Sequence, residues 1–260
     1  MAQVAVDSSC KGLFSTGMLF RVRFLFFLFC TFGWFSSCDI LGDGPCITGS
    51  GPSKSERRDV AAFKGVDMRI GGNVYVTAGP RVEVKVESFS NVLPEISTKV
   101  EGGTLVISSG SCIEYADDET NVYISMPELE YASLKGSGII RIQTVPSPKP
   151  LQLNLEGSGA IRYIGSADHI KVRNSGSGDI DLEGFVLNLE TNQSGSGRVL
   201  GYFLHSDTAK VISSGSGYQQ IWVDKVFDAT VSGSGNVYYR GFPNLVSTLL
   251  TGSGRVINDN

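Results

Sequence analysis

Between recurrent Gly-Ser-Gly triplets, the carboxy-terminal half of the chain carries an apolar residue at every second position. Stepping back by twos from the triplets gives Leu155, Leu153 and Leu151, then Val172 and Ile170, then Val211 and Ala209, then Val231, Ala229 and Phe227, then Leu250 and Val246. Stepping forward, the fourth residue after the first glycine is Ile140, Ile161, Ile180, Val199, Val237 or Val256. Both runs share one parity, so each segment predicts strands with one buried face. Asn174, Thr191, Gln193, Ser213, Gln219 and Thr248 interrupt the pattern, but the parity resumes at Ile221 and Val223 after Gln219. They are local exceptions and not register slips.

The triplets begin at Gly136, Gly157, Gly176, Gly195, Gly215, Gly233 and Gly252, separated by 21, 19, 19, 20, 18 and 19 residues. A fixed period of this size is a solenoid signature; it is too short for a propeller blade and lacks the leucine-rich repeat spacing. The pattern predicts an all-β protein, a right-handed parallel β-helix with coils of about 19 residues that pair at ~4.8 Å. Parity turns both glycines of each triplet inward: Gly136 and Gly138, Gly157 and Gly159, Gly176 and Gly178, Gly195 and Gly197, Gly215 and Gly217, Gly233 and Gly235, Gly252 and Gly254. Each serine then faces outward. Inward glycines are expected to leave room where the chain bends toward the axis.

Upstream, VDMRIGGNVYVTAG, VEVKVES, ISTKVEGGTLVISS and NVYISMPELE also alternate but lack the strict triplet. Residues 59–260 therefore read as one β-helix domain, with irregular opening coils at 59–135 and the triplet array at 136–260. Residues 38–58, rich in Gly, Pro and Ser, read as a tether.

The first 37 residues read as an upstream extension and a lipoprotein signal peptide. Phe24 to Phe35 is an apolar run of 12 residues behind Arg21 and Arg23. It is too short to span a bilayer, which takes roughly 20 residues, and has the layout of a secretory signal. Phe35-Ser36-Ser37-Cys38 then resembles a lipobox, which makes Cys38 the lipidated residue and the membrane a partner through its acyl chains. Beyond Cys38 only Cys46 and Cys112 remain. An even pair in an oxidising compartment is expected to form a disulfide.

Composition narrows the function. The whole chain carries 22 Lys+Arg and 26 Asp+Glu. Without residues 1–37, 19 basic and 25 acidic side chains remain, a net charge of −6. With no long basic run, a nucleic-acid surface is not expected. His169 and His205 are the only histidines and read as loop residues, so neither metal nor other cofactor is expected. Asp179, Asp181 and Glu183, with Arg162 and Arg198 in neighbouring repeats, form the best candidate for glycosidase-type chemistry. The same residues suit a cross-strand charge ladder better. Asp117-Asp118-Glu119 reads as a solvated turn. Outward parity also falls on the seven serines from Ser137 to Ser253 and on Tyr202, Tyr218, Trp222 and Tyr238, which read first as small residues between glycines and as covers of coil corners, and alternatively as a surface suited to a glycan or protein ligand.

CDILGDGPCITGSGP, ERRDVAAFKGVDMRIGGNVYVTAG and FSNVLPEISTKVEGGTLVIS, followed by the array, resemble the head GIN domain family of autotransporter adhesins, over roughly Arg57 to Asn258. The resemblance implies a secreted or lipid-anchored β-helix without established enzymatic activity, and supplies no catalytic residues. The expected role is non-catalytic: adhesin-like binding or structural support at the cell envelope, from an outer-membrane lipoprotein. A periplasmic envelope scaffold and a carbohydrate-active β-helix enzyme are the alternatives.

Overall fold

Long parallel strands carry the predicted alternation. A computed structural model of the chain describes residues 46–115 and 120–260. The inter-triplet segments form the strands Ala160–Asn174, Asp179–Gln193, Arg198–Ser213 and Tyr218–Val231, each paired in parallel with the next. Equivalent residues stack: Ile140, Ile161, Ile180, Val199, Gln219, Val237 and Val256 form one inner column. Leu153, Val172, Thr191, Val211 and Ala229 form another, which ends at the exposed Thr248 of the last coil. The array makes about six turns of a β-solenoid. Its core is built from these apolar columns, each fully buried Val, Leu or Ile contributing about 1.5–3 kcal/mol.

The triplet glycines serve a purpose different from the one the pattern suggested. None has a left-handed φ, and a Cβ added to one would point along the stack into the backbone of the preceding coil. At Gly176, Gly195, Gly215, Gly233 and Gly252 it would collide with the carbonyl oxygen of the first glycine one coil earlier. That same carbonyl accepts the N–H of the second glycine of the later triplet, as in Gly178 to Gly157 at 3.3 Å and Gly197 to Gly176 at 3.2 Å. The triplet is therefore a close axial approach of coil on coil, not a clearance for bending inward. At Gly184, φ +120°, and Gly241, φ +98°, the backbone angle itself adds to such a contact.

The polar exceptions stay in register and inside. Asn174, Gln193 and Ser213 occupy successive rungs and are fully buried. Asn174 Nδ2 donates to the Gly178 carbonyl at 3.0 Å, and its Oδ1 accepts the Gly176 N–H at 3.2 Å. Gln193 Nε2 likewise donates to the Gly197 carbonyl. These amides brace the triplet turns from within, adding to the coil-to-coil bonds that the Gly176 N–H makes to the Leu155 carbonyl and the Gly178 carbonyl accepts from the Arg198 N–H.

The opening region departs from the expected row of coils. Gly65–Met68 and Asn73–Ala78 form a coil with Tyr131–Leu134 and Ile139–Gln143 on one side. On the other side lie Thr104–Ser109 and Asn121–Met126, which come later in the chain than the coil they cover. Two further contacts are antiparallel: Glu83–Phe89 on Asn121–Met126, and Ile96–Glu101 on Thr104–Ser109. The tether reading also needs correction, because Ser53–Arg58 is an antiparallel edge strand on Glu83–Phe89. SKSERR has no apolar residue to reveal alternation, and its hold on the sheet is through the backbone. Ile47–Thr48 pairs with Ile113–Glu114, and Cys46 is joined to Cys112 beside it.

Candidate binding face

Two of the three acidic candidates of the array, Asp179 and Asp181, are taken up by cross-coil pairing. Arg198 Nε donates to Asp179 Oδ1 at 2.8 Å, and a second guanidinium nitrogen reaches Oδ2. This bond raises the pKa of the Arg198 guanidinium. Arg162 lies 3.5 Å from Asp181, whose carboxyl is pushed up chiefly by burial. Glu183 faces Ile164 in one neighbouring coil and Phe203 in the other. The arrangement is an interleaved charge ladder. His169 lies 3.4 Å from Glu190, and His205 packs on Trp222 with ring centroids 4.4 Å apart. Among the described residues no group of three His, Cys, Asp or Glu is placed to hold a metal ion.

The four outward aromatics are joined to neighbours instead of lying open. Tyr202 donates to Asp259 at 2.8 Å beneath the Arg240 guanidinium, 4.2 Å from its ring centre. Tyr218 and Tyr238 meet edge to face at 6.1 Å, and Trp222 Nε1 donates to Asp224 at 2.9 Å. They cover the coil surface. The seven triplet serines are all exposed and line the turn edge. Among the described residues the aromatic rings most open to solvent, Phe242 at 83% and Phe203 at 78%, have no sequence signal beyond being apolar. Phe203 stands in a coil of 20 residues, where the register shifts between Gly201 and His205.

Most informative is a row that no local stretch of sequence displays. On the outer face, Arg57, Lys85, Tyr123, Tyr75, Arg141 and Arg162 occupy six successive rungs, before Asp181 ends the run. Tyr75 and Tyr123 stack at 5.1 Å with an interplanar angle of 12°. Lys85 sits 4.4 Å over Tyr123 and Arg141 5.2 Å over Tyr75, so the two rings are sandwiched between cations. Burial is the main cause of the raised pKa of Tyr123. Arg141 also donates to Asn73 Oδ1 at 2.6 Å. Beside the row lies an open cleft of about 490 Å³ whose lining includes Arg57, Arg81, Lys85, Tyr123, Thr77 and Ser125. The order of the strands, with a later segment covering an earlier one, assembles this row from residues 57 to 162. Alternation along a strand shows which way a residue faces but cannot place residues of different strands side by side.

Cys38 and Asp117-Asp118-Glu119 lie outside the described residues.

The model of the family described as "Putative auto-transporter adhesin, head GIN domain" matches residues 62–243, well over half of the chain. Solved structures share the fold. A putative adhesin from Bacteroides fragilis has a TM-score of 0.69 and 23% identity, over 82% of this chain and 99% of that one. A putative lipid binding protein from Parabacteroides distasonis gives 0.60 and 21%, over 82% and 100%. A putative adhesin from Parabacteroides merdae gives 0.57 and 15%, over 82% and 99%. No curated protein matches the chain.

Proposed function

Because the chain belongs to the head GIN domain family of auto-transporter adhesins, we propose that it is a non-catalytic, lipid-anchored envelope protein that binds an extracellular glycan or protein through the outer face of its solenoid. The observation that carries the reading is the contrast between the acids and the cations of that face. The candidate acids Asp179 and Asp181 are matched by Arg198 and Arg162, whereas Arg57 and Arg141 have no carboxylate partner among the described residues. A face that holds Asp179 and Asp181 in ion pairs and leaves Arg57 and Arg141 without a carboxylate suits recognition of a partner better than acid–base chemistry. The anchor rests on the lipobox-like Phe35-Ser36-Ser37-Cys38, and with it the outer-membrane assignment.

Protease treatment of intact producing cells, with a lysed-cell control, tests the surface reading. Digestion of the domain on intact cells supports adhesion, and protection until lysis moves the function to a periplasmic scaffold. Cys38→Ala is expected to shift the protein from the membrane fraction to the soluble one; retention in the membrane would sink the lipid anchor.

A further inference from the structure

Two like-charge pairs bracket the stacked tyrosines. Arg57 lies directly opposite Lys85, and Arg141 directly opposite Arg162. Such pairs are unfavourable in a sheet, yet here they align in one row at ~4.8 Å per rung, roughly 24 Å from end to end. The acids nearby do not cancel the row. Glu87 lies 3.7 Å from Lys85, Asp181 pairs with Arg162 at its far end, and Glu83 is held by Arg81 at 2.6 Å. In a chain of net charge −4, this is a localised surplus of cations in search of an anion.

From this row we infer a binding site for an acidic polysaccharide, a chain of sugars carrying repeated carboxylate or sulfate groups, laid across the strands from Arg57 to Arg162. The cations are spaced to meet successive anionic groups. The hydroxyls of Tyr75, Tyr123, Thr77 and Ser125 can exchange hydrogen bonds with the sugar hydroxyls between those groups. Ring geometry argues against nucleic acid. Stacking of bases needs an open ring face, and each tyrosine here has one face against the other ring and the other face beneath a cation. A lipid surface is disfavoured because Tyr123, at 37% exposure, is the only large hydrophobic of the row open to solvent. The inference rests on reading this face as a binding face but not on where the protein resides. Protease accessibility reports location alone and solution binding reports ligand alone, so the two can fail separately.

The test is titration of the full chain with polygalacturonate and heparin, alongside neutral dextran, single-stranded DNA and phosphatidylglycerol vesicles. Binding to at least one acidic polysaccharide that weakens with salt, and none to dextran, is the expected result. Arg57→Gln with Arg141→Gln should weaken binding about tenfold. Lys210→Gln with Arg255→Gln, an equal change of charge at exposed sites outside the row, should leave it unchanged. Tyr75→Phe with Tyr123→Phe keeps the rings and removes the hydroxyls, so a smaller loss is expected. Circular dichroism of each variant controls for folding. Absence of binding to both acidic polysaccharides, equal weakening by the two arginine-containing pairs, or equally tight binding of DNA or vesicles would overturn the inference.

Discussion

In the triplet array every coil meets its neighbours the same way, through parallel ladders and glycine backbone stacked on glycine carbonyl. The opening region reaches the same sheets by other means. Its strands interleave out of sequence order, three of its pairings are antiparallel, and the Cys46–Cys112 bridge and the Tyr75–Tyr123 stack join segments far apart in the chain. The array is thus specified by what its backbone positions exclude. The opening region is specified by which side chains meet, and the cation–aromatic row is concentrated there. Repetition leaves little freedom to vary inward positions, so distinctive surface chemistry gathers where the repeat relaxes.

The sharpest way to break this contrast is to place one methyl group in each region. Gly197→Ala puts a Cβ onto the Gly178 carbonyl and the Asn174 amide. The coils would have to separate along the axis, losing the ladder on both sides, so a loss of about 4 kcal/mol or more is expected in chemical denaturation. Gly110→Ala in the opening region meets nothing within 4 Å and has no left-handed φ. It should be neutral or slightly stabilising. Equal losses at the two sites would mean that the triplets do not act through close approach.

The next effect belongs to the opening region alone. Cys46→Ser with Cys112→Ser releases a bridge across 66 residues, and a loss of about 2–4 kcal/mol is expected. Hydrogen exchange should locate it: amides of 47–114 lose protection, while those of 160–231 keep theirs. A uniform loss through the array would show one cooperative unit and erase the distinction between the regions.

These two regions also differ in how far they could be read beforehand. The period of about 19, the shared parity and the parallel stack were legible because the array repeats one solution seven times, and even Asn174 and Gln193 kept the parity they interrupt. The role of the glycines was misjudged because parity reports inward or outward and is silent about the axial direction, along which their Cβ would point. Ser53–Arg58 escaped because an edge strand held by backbone bonds needs no apolar face. The row from Arg57 to Arg162 was invisible for a third reason. Its neighbours are set by an inserted coil, and alternation fixes which way a residue faces but not which strand lies beside it.

A smaller effect sharpens the comparison from inside the array. Asn174→Ala removes the donor to Gly178 and the acceptor for the Gly176 N–H. Both backbone groups keep a bond to a neighbouring coil, so a loss of about 1 kcal/mol is expected. Asn174→Asp restores only the acceptor and buries a carboxylate, so it should be at least as damaging at neutral pH and recover as pH falls. If Asn174→Ala costs nothing, the triplet turns hold without their internal brace, and backbone stacking alone carries the array.

The smallest expected effect concerns Asp181, where the cationic row ends and the charge-paired face of the array begins. Burial raises its carboxyl pKa above the ordinary 3.8, despite the opposing pull of Arg162. The folded state therefore holds this proton more firmly than the unfolded chain. Protonated Asp181 favours folding at low pH, and that contribution is lost as pH rises through the folded pKa, where the ionised carboxylate becomes a net cost. Asp181→Asn keeps the shape and removes the titration. Its stability relative to the parent should rise between pH 3.5 and pH 7, by about 0.5 kcal/mol or less because the site is partly solvated. Denaturation curves at the two pH values decide the sign. A variant less stable than the parent at pH 7 would mean that the ion pair with Arg162 outweighs burial, and that side-chain charge helps hold the array much as side-chain contacts hold the opening coils.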